Sequence, residues 1–181
     1  MAIQNTVDLL IALVYAPGAT GLEGEPIRGF TRLQKLLFLL WKEASFDEYV
    51  PELRQFVAYN YGPFSSNVYD DIEFAESIGL IGVKKARPEL KLENTDEIES
   101  YEGSLDLSGI EIDDLKTRED FELTEGRGME IAREIWHELD EDQRRRLQKV
   151  KASYNQMPFM RLIRYVYSEY PDYAKKSILL I

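Results

Sequence analysis

The chain has 181 residues, 44% hydrophobic and 12% aromatic, which is the composition of a protein with a real core and excludes a disordered one. Its 33 acidic residues against 22 basic ones leave a formal net charge of −11, which argues against a general nucleic-acid coat protein. There is no cysteine, so disulfides and thiolate metal sites are excluded and a reducing compartment suits the chain. Val7, Leu10, Ile11 and Val14 recur at helical spacing and predict a first helix over residues 4–15, stopped by Pro17-Gly18. The apolar run from Val7 to Tyr15 contains Asp8 and is too short to span a bilayer, and residues 1–5 lack a basic leader start. A cytoplasmic location without membrane association is the expectation, and acidity of this degree would also suit a salt-adapted organism.

A glycine-rich loop, residues 18–29, leads to a strong helix from Phe30-Thr31 to about Ala44, with Thr31 as its N-cap. Leu33, Leu36, Leu37, Leu40 and Trp41 form its apolar face, while Arg32, Lys35 and Lys42 lie toward another side. Residues 54–61 (RQFVAYNY) read as extended, and Gly62-Pro63 punctuates them. Ser65 or Ser66 opens a third helix to about Ile78, Gly79 closes it, and Leu80 to Val83 read as a short strand.

Residues 89–120 change character, with 12 acidic residues, three basic ones and no sustained apolar period. They predict a long acidic insert in which Ile110, Ile112 and Leu115 pack locally. Phe121 to Leu123 alternate like a strand and pair with residues 80–83 as a β-wing. Thr124 caps a helix to about Leu139, Asp140 with Gln143 forms a capping box for residues 141–154, and Pro158 sits in the first turn of a last helix ending before Pro171. The predicted fold is mainly α with a small β-wing: a winged helix-turn-helix-like core over residues 1–128, and a C-terminal helical extension over 129–181 packed on the core or on a second subunit.

Three segments carry a family resemblance: Arg32 to Phe38 (RLQKLLF), Tyr59 to Tyr69 (YNYGPFSSNVY), and Gly79-Leu80-Ile81. Their pairing resembles the Panacea antitoxin domain and a broad set of prokaryotic, largely archaeal, winged-helix proteins. Phe121 to Gly126 (FELTEG) is similar to the Y-x-L-T-x-x-G ending of winged-helix regulators, with Phe for Tyr and a shifted Gly. The resemblance covers residues 27–128 except the insert. It implies a wing-bearing helical domain used in regulation or toxin neutralisation, and it carries over no catalytic residue.

The expected third helix is the wrong sign for a DNA groove: it holds Asp70, Asp71, Glu73 and Glu76 and no Lys or Arg. Basic residues gather elsewhere. Lys84, Lys85 and Arg87 cluster at the first wing strand, and residues 143–168 contain Arg144, Arg145, Arg146, Lys149, Lys151, Arg161 and Arg164 without one acidic residue. These are the candidate residues for binding nucleic acid or an acidic partner. The alternative is a solvated face paired with the acidic insert of this chain or of a second subunit. The turn Tyr61-Gly62-Pro63-Phe64 reads first as a structural corner and second as a partner contact.

No catalytic, cofactor-binding or metal-ligating residue is expected. Glu134-x-x-His137 matches di-iron ligand spacing, but such a centre needs two motifs and His137 is the one histidine. Glu130, Glu134 and Glu138 read as a solvated stripe, and the Asp70-Asp71 and Asp113-Asp114 pairs lack calcium-loop spacing. The expected function is a non-enzymatic regulatory module acting through a protein partner. The alternatives are a DNA-binding regulator using the basic C-terminal helices and wing, and a metal-dependent enzyme. The apolar face of the last helix (Phe159, Leu162, Ile163, Val166, Tyr170) and the tail 178–181 also suggest a homodimer.

Overall fold

A computed structural model describes residues 3–85 and 119–179; Arg87, Ile110, Ile112, Leu115, the Asp113-Asp114 pair and most of the acidic insert lie outside the described residues. The described residues are mainly helical, with six α-helices and small antiparallel sheets. Helix α1 spans Thr6–Tyr15, and Asn5 caps it by accepting the Asp8 N–H at 2.9 Å. Leu9 to Ala16 are all buried, so α1 runs through the interior rather than along the surface.

Strand β1 (Ile27–Arg28) leads through Gly29 into helix α2 (Phe30–Ala44). Gly29, not Thr31, occupies the N-cap, because the chain leaves the strand and enters the helix within one residue. Of the three cations expected away from the leucine face of α2, Arg32 and Lys35 are buried with the leucines and Lys42 is half-buried; Gln34 is buried too. Later helices and a hairpin surround α2, so its polar groups must find backbone partners.

Two 3-10 turns, Phe46–Glu48 and Pro51–Gln55, precede a hairpin of β2 (Val57–Tyr59) and β3 (Gly62–Phe64), with Ala58 opposite Pro63. Helix α3 (Ser66–Ser77) follows, capped by Ser65, and Leu80 N–H bonds back to the Ala75 carbonyl at its end. Strands β4 (Ile81–Lys85) and β5 (Glu119–Leu123) pair antiparallel with Val83 opposite Phe121, the partnership that the alternation of residues 121–123 predicts. The end of the acidic insert, Glu119 and Asp120, thus belongs to a strand. A third strand was unexpected: β1 pairs with β5, giving the order β1-β5-β4. Two residues are too few to display a period.

Helix α4 spans Arg127–Glu138. Gly126 holds its N-cap, yet Thr124 still contributes: its hydroxyl donates to the Gly79 carbonyl at 2.6 Å and accepts the Gly128 N–H at 3.1 Å. A Cβ on Gly128 would overlap the Leu80 carbonyl, so only glycine lets α4 start against β4. Helix α5 (Glu141–Tyr154) carries the predicted capping box, with Gln143 N–H on Asp140 Oδ1 at 2.7 Å and Asp140 N–H on Gln143 Oε1 at 3.1 Å. Helix α6 (Phe159–Glu169) begins directly after Pro158.

One cluster of buried side chains runs from Ile3 to Val166 and draws on residues both before and after 128. Leu162, Ile163 and Val166 are buried, each worth roughly 1.5–3 kcal/mol. The apolar face of the last helix is therefore taken up inside its own chain. The tail follows it: Ile178 N–H bonds the Asn60 carbonyl at 3.0 Å, and Leu179 packs on Ile163.

Candidate interaction surfaces

The RLQKLLF and YGPF segments are joined physically. Gln34 and Ser65 exchange buried bonds, Nε2 to the Ser65 carbonyl at 3.0 Å and Ser65 N–H to Oε1 at 3.1 Å. Lys35 lies fully buried under the turn and donates from Nζ to the Pro63 carbonyl at 3.0 Å. Burial pushes the Lys35 amine down to about 7. Gly62 has φ +89°, rather than the extended backbone expected before a proline, and a Cβ there would lie 2.7 Å from the Tyr167 ring. Pro63 is buried, Phe64 packs on Tyr59 at 5.1 Å between centroids, and Tyr61 packs against the Ile163–Leu179 cluster. The four turn residues form a structural corner.

The basic run of α5 divides into two sets. Arg144 donates to the Trp136 and His137 carbonyls, both at 2.9 Å, at the end of α4. Arg146 donates to the Ala44 carbonyl at 2.7 Å, at the end of α2, and lies 5.2 Å over the Phe46 ring. Lys151, fully buried, donates to the Val14 carbonyl at 2.7 Å in the last turn of α1. Three cations on one helix thus close the C-terminal ends of three others, where the macrodipole favours positive charge. For Lys151, burial lowers the amine to about 7 and outweighs the attraction of Glu25. Arg32 answers in kind, bonding the Tyr154 and Met157 carbonyls at 2.9 and 2.7 Å as the chain leaves α5.

The second set reaches solvent. Lys149 and Arg161 are exposed and Arg164 is half-buried. Exposed Arg145 pairs with Asp142, and Lys84 pairs with Glu122 at 2.5 Å. Lys85 is the last residue of β4. These residues stand on β4, α5 and α6 rather than on one element.

Two further clusters bind the C-terminal helices to the rest, and sequence reasoning missed both. The glycine-rich loop wraps the Glu25 carboxylate, which accepts from Gln156 Nε2 at 2.8 Å, Asn155 Nδ2 at 3.0 Å and the Thr20 hydroxyl at 2.7 Å. Burial alone would raise Glu25, but these bonds outweigh it and hold the carboxyl down to about 2. Glu43 on α2 accepts from the hydroxyls of Tyr154 and Tyr165, both at 2.7 Å. Burial and then this carboxylate push the Tyr154 hydroxyl far up. Apart from Thr20, the partners are more than a hundred residues apart, so no local pattern marks them.

Helix α3 presents Asn67, Tyr69, Asp70, Glu73, Phe74 and Glu76 to solvent and buries Val68, Ile72 and Ala75. Beside it a cleft of about 530 Å3 opens between α3, the start of α1 and the second 3-10 turn. Val7, Phe74, Ile78 and Leu80 line it together with Asp8, Glu52 and Asp71. Burial raises the Asp71 carboxyl, with Asp70 and Glu52 adding to the effect and a hydrogen bond with Thr6 opposing it. The acidity of α3 was legible in the sequence. The cleft was not, because three separate segments build it.

Glu130, Glu134, His137 and Glu138 all face solvent on α4. Among the described residues no three His, Asp or Glu side chains gather as a metal-ligand set. No described helix is long and apolar enough to cross a membrane. No family model, no curated protein and no solved structure matches the chain.

Proposed function

We propose that this protein is an intracellular regulatory binding module of winged-helix type, acting through a protein partner and without catalysis. Two helices, a hairpin, a third helix and the antiparallel strands β4 and β5, the latter also paired with β1, follow in the winged-helix order, and this supports the type. The resemblance of the RLQKLLF and YGPF segments to the Panacea antitoxin domain points the same way. The absence of cysteine supports an intracellular setting.

The observation that carries the choice of partner is the solvent face of α3. It combines carboxylates with an exposed Phe74 and holds no Lys or Arg, so a phosphate-lined groove would repel it. A DNA-binding regulator working through the C-terminal helices would instead rely on Lys149, Arg161 and their neighbours. Arg144, Arg146 and Lys151 are already engaged with helix-end carbonyls. A salt titration with duplex DNA separates the two, using Arg145→Gln, Lys149→Gln and Arg161→Gln, which leave the helix ends intact. No binding at low salt is expected. Affinity that falls steeply with salt and is weakened by these three changes would overturn the protein-partner function.

A further inference from the structure

The cleft beside α3 has two chemically distinct walls. Phe74, 53% exposed, and Ile78 supply apolar surface with Val7, while Asp8, Glu52 and Asp71 supply carboxylates. No lysine or arginine lines it. Among the described residues none of these three carboxylates has an ion-pair partner, whereas Asp47, Glu122, Asp142 and Asp172 all do. The volume of about 530 Å3 falls within the usual range of ligand sites, roughly 300–1,000 Å3.

These walls narrow the occupant. An apolar ligand would strip water from three carboxylates, and the Gln4 N–H on Asp8 and the Thr6 hydrogen bond with Asp71 replace only part of what is lost. A phosphate or nucleic acid would be repelled. A long cationic side chain satisfies both walls: its methylene stem lies on apolar surface, its head meets carboxylate, and a guanidinium also stacks on an aromatic face. Granted the protein-binding role proposed above, on which this site depends, we propose that the cleft docks an arginine- or lysine-bearing amphipathic segment of the partner protein, with Phe74 as its anchor. The partner surface is basic, and it meets α3, the helix at the position that DNA-binding winged helices turn toward the duplex.

The test uses the full chain and three labelled synthetic peptides sharing one leucine pattern, with arginine, glutamine or glutamate at the polar positions. Fluorescence anisotropy should register the arginine peptide alone, with affinity falling as salt rises. Phe74→Ala should weaken it about tenfold, and Glu52→Gln with Asp71→Asn by about the same. Glu134→Gln with Glu138→Gln removes equal charge from the exposed face of α4 and should change nothing. Thermal melts confirm that each variant is folded. Equal weakening by the two charge pairs would reduce the effect to general attraction by an acidic chain and overturn the site, as would absence of binding. A protein partner indifferent to Phe74→Ala and to the cleft pair overturns the cleft and leaves the protein-binding role standing. Binding of duplex DNA in place of protein overturns both.

Discussion

Replacing Lys35 by methionine keeps the length and apolar stem of the side chain and removes its amine from beneath the hairpin. In the unfolded chain the amine titrates near 10.5, whereas burial brings it to about 7 in the fold. Between these values the unfolded state binds more protons, so stability must rise with pH. Below about 7 the cost of the buried charge is fully present, and in the limit it corresponds to about 5 kcal/mol. The neutral amine still donates to the Pro63 carbonyl, so deprotonation relieves the charge without breaking the bond. From about pH 6 to about pH 9 the wild type should gain ~3 kcal/mol over Lys35→Met. Urea unfolding across that range, with an unchanged m-value, measures the difference. Lys151 titrates in both proteins and cancels. Methionine leaves the Pro63 carbonyl without its donor, a constant cost of about 1–3 kcal/mol, so only the slope with pH is diagnostic. Parallel stability curves would refute the account of Lys35 as a buried charge.

Glu25 should govern the acid limb. Its folded carboxyl lies below the ordinary 4.5, so the wild type carries up to about 3 kcal/mol that is lost as pH falls from 4.5 through about 2. Glu25→Gln should lack that loss, and an acid titration of both proteins by circular dichroism would reveal an unchanged limb if the network has no such role. Arg146→Ala should cost about 1.5–3 kcal/mol by exposing the end of α2, against at most about 0.5 kcal/mol for exposed Arg145→Ala; equal melting shifts would contradict the division of the basic run. Gly62→Ala combines a left-handed φ with overlap on Tyr167 and should cost about 2–4 kcal/mol, and a melting temperature close to wild type would refute the corner.

Local signals in the sequence were enough wherever the stabilising partners are neighbours. The Asp140 and Gln143 box and the Ser65 cap both follow from spacing a few residues long. Such signals failed at Thr31, where the chain entered α2 straight from a two-residue strand, and at β1 itself. The reach of the resemblance also gains a physical content, since its two halves meet through Gln34, Lys35, Pro63 and Ser65.

By itself the sequence determined which segments are helical, that one side of α1 is apolar, and that α3 is acidic. Those properties belong to single segments, and period, caps and charge are written within them. Only the tertiary structure decided what the cations of residues 143–168 do. A run without acidic neighbours reads as a free basic surface, yet Lys151 reaches a carbonyl 137 residues away and Arg146 one 102 residues away. The partners are helix-end carbonyls, which every residue possesses and no composition reveals, so their position emerges only when four helices have packed. The cleft beside α3 arose in the same way, from carboxylates on three segments that meet through the fold alone.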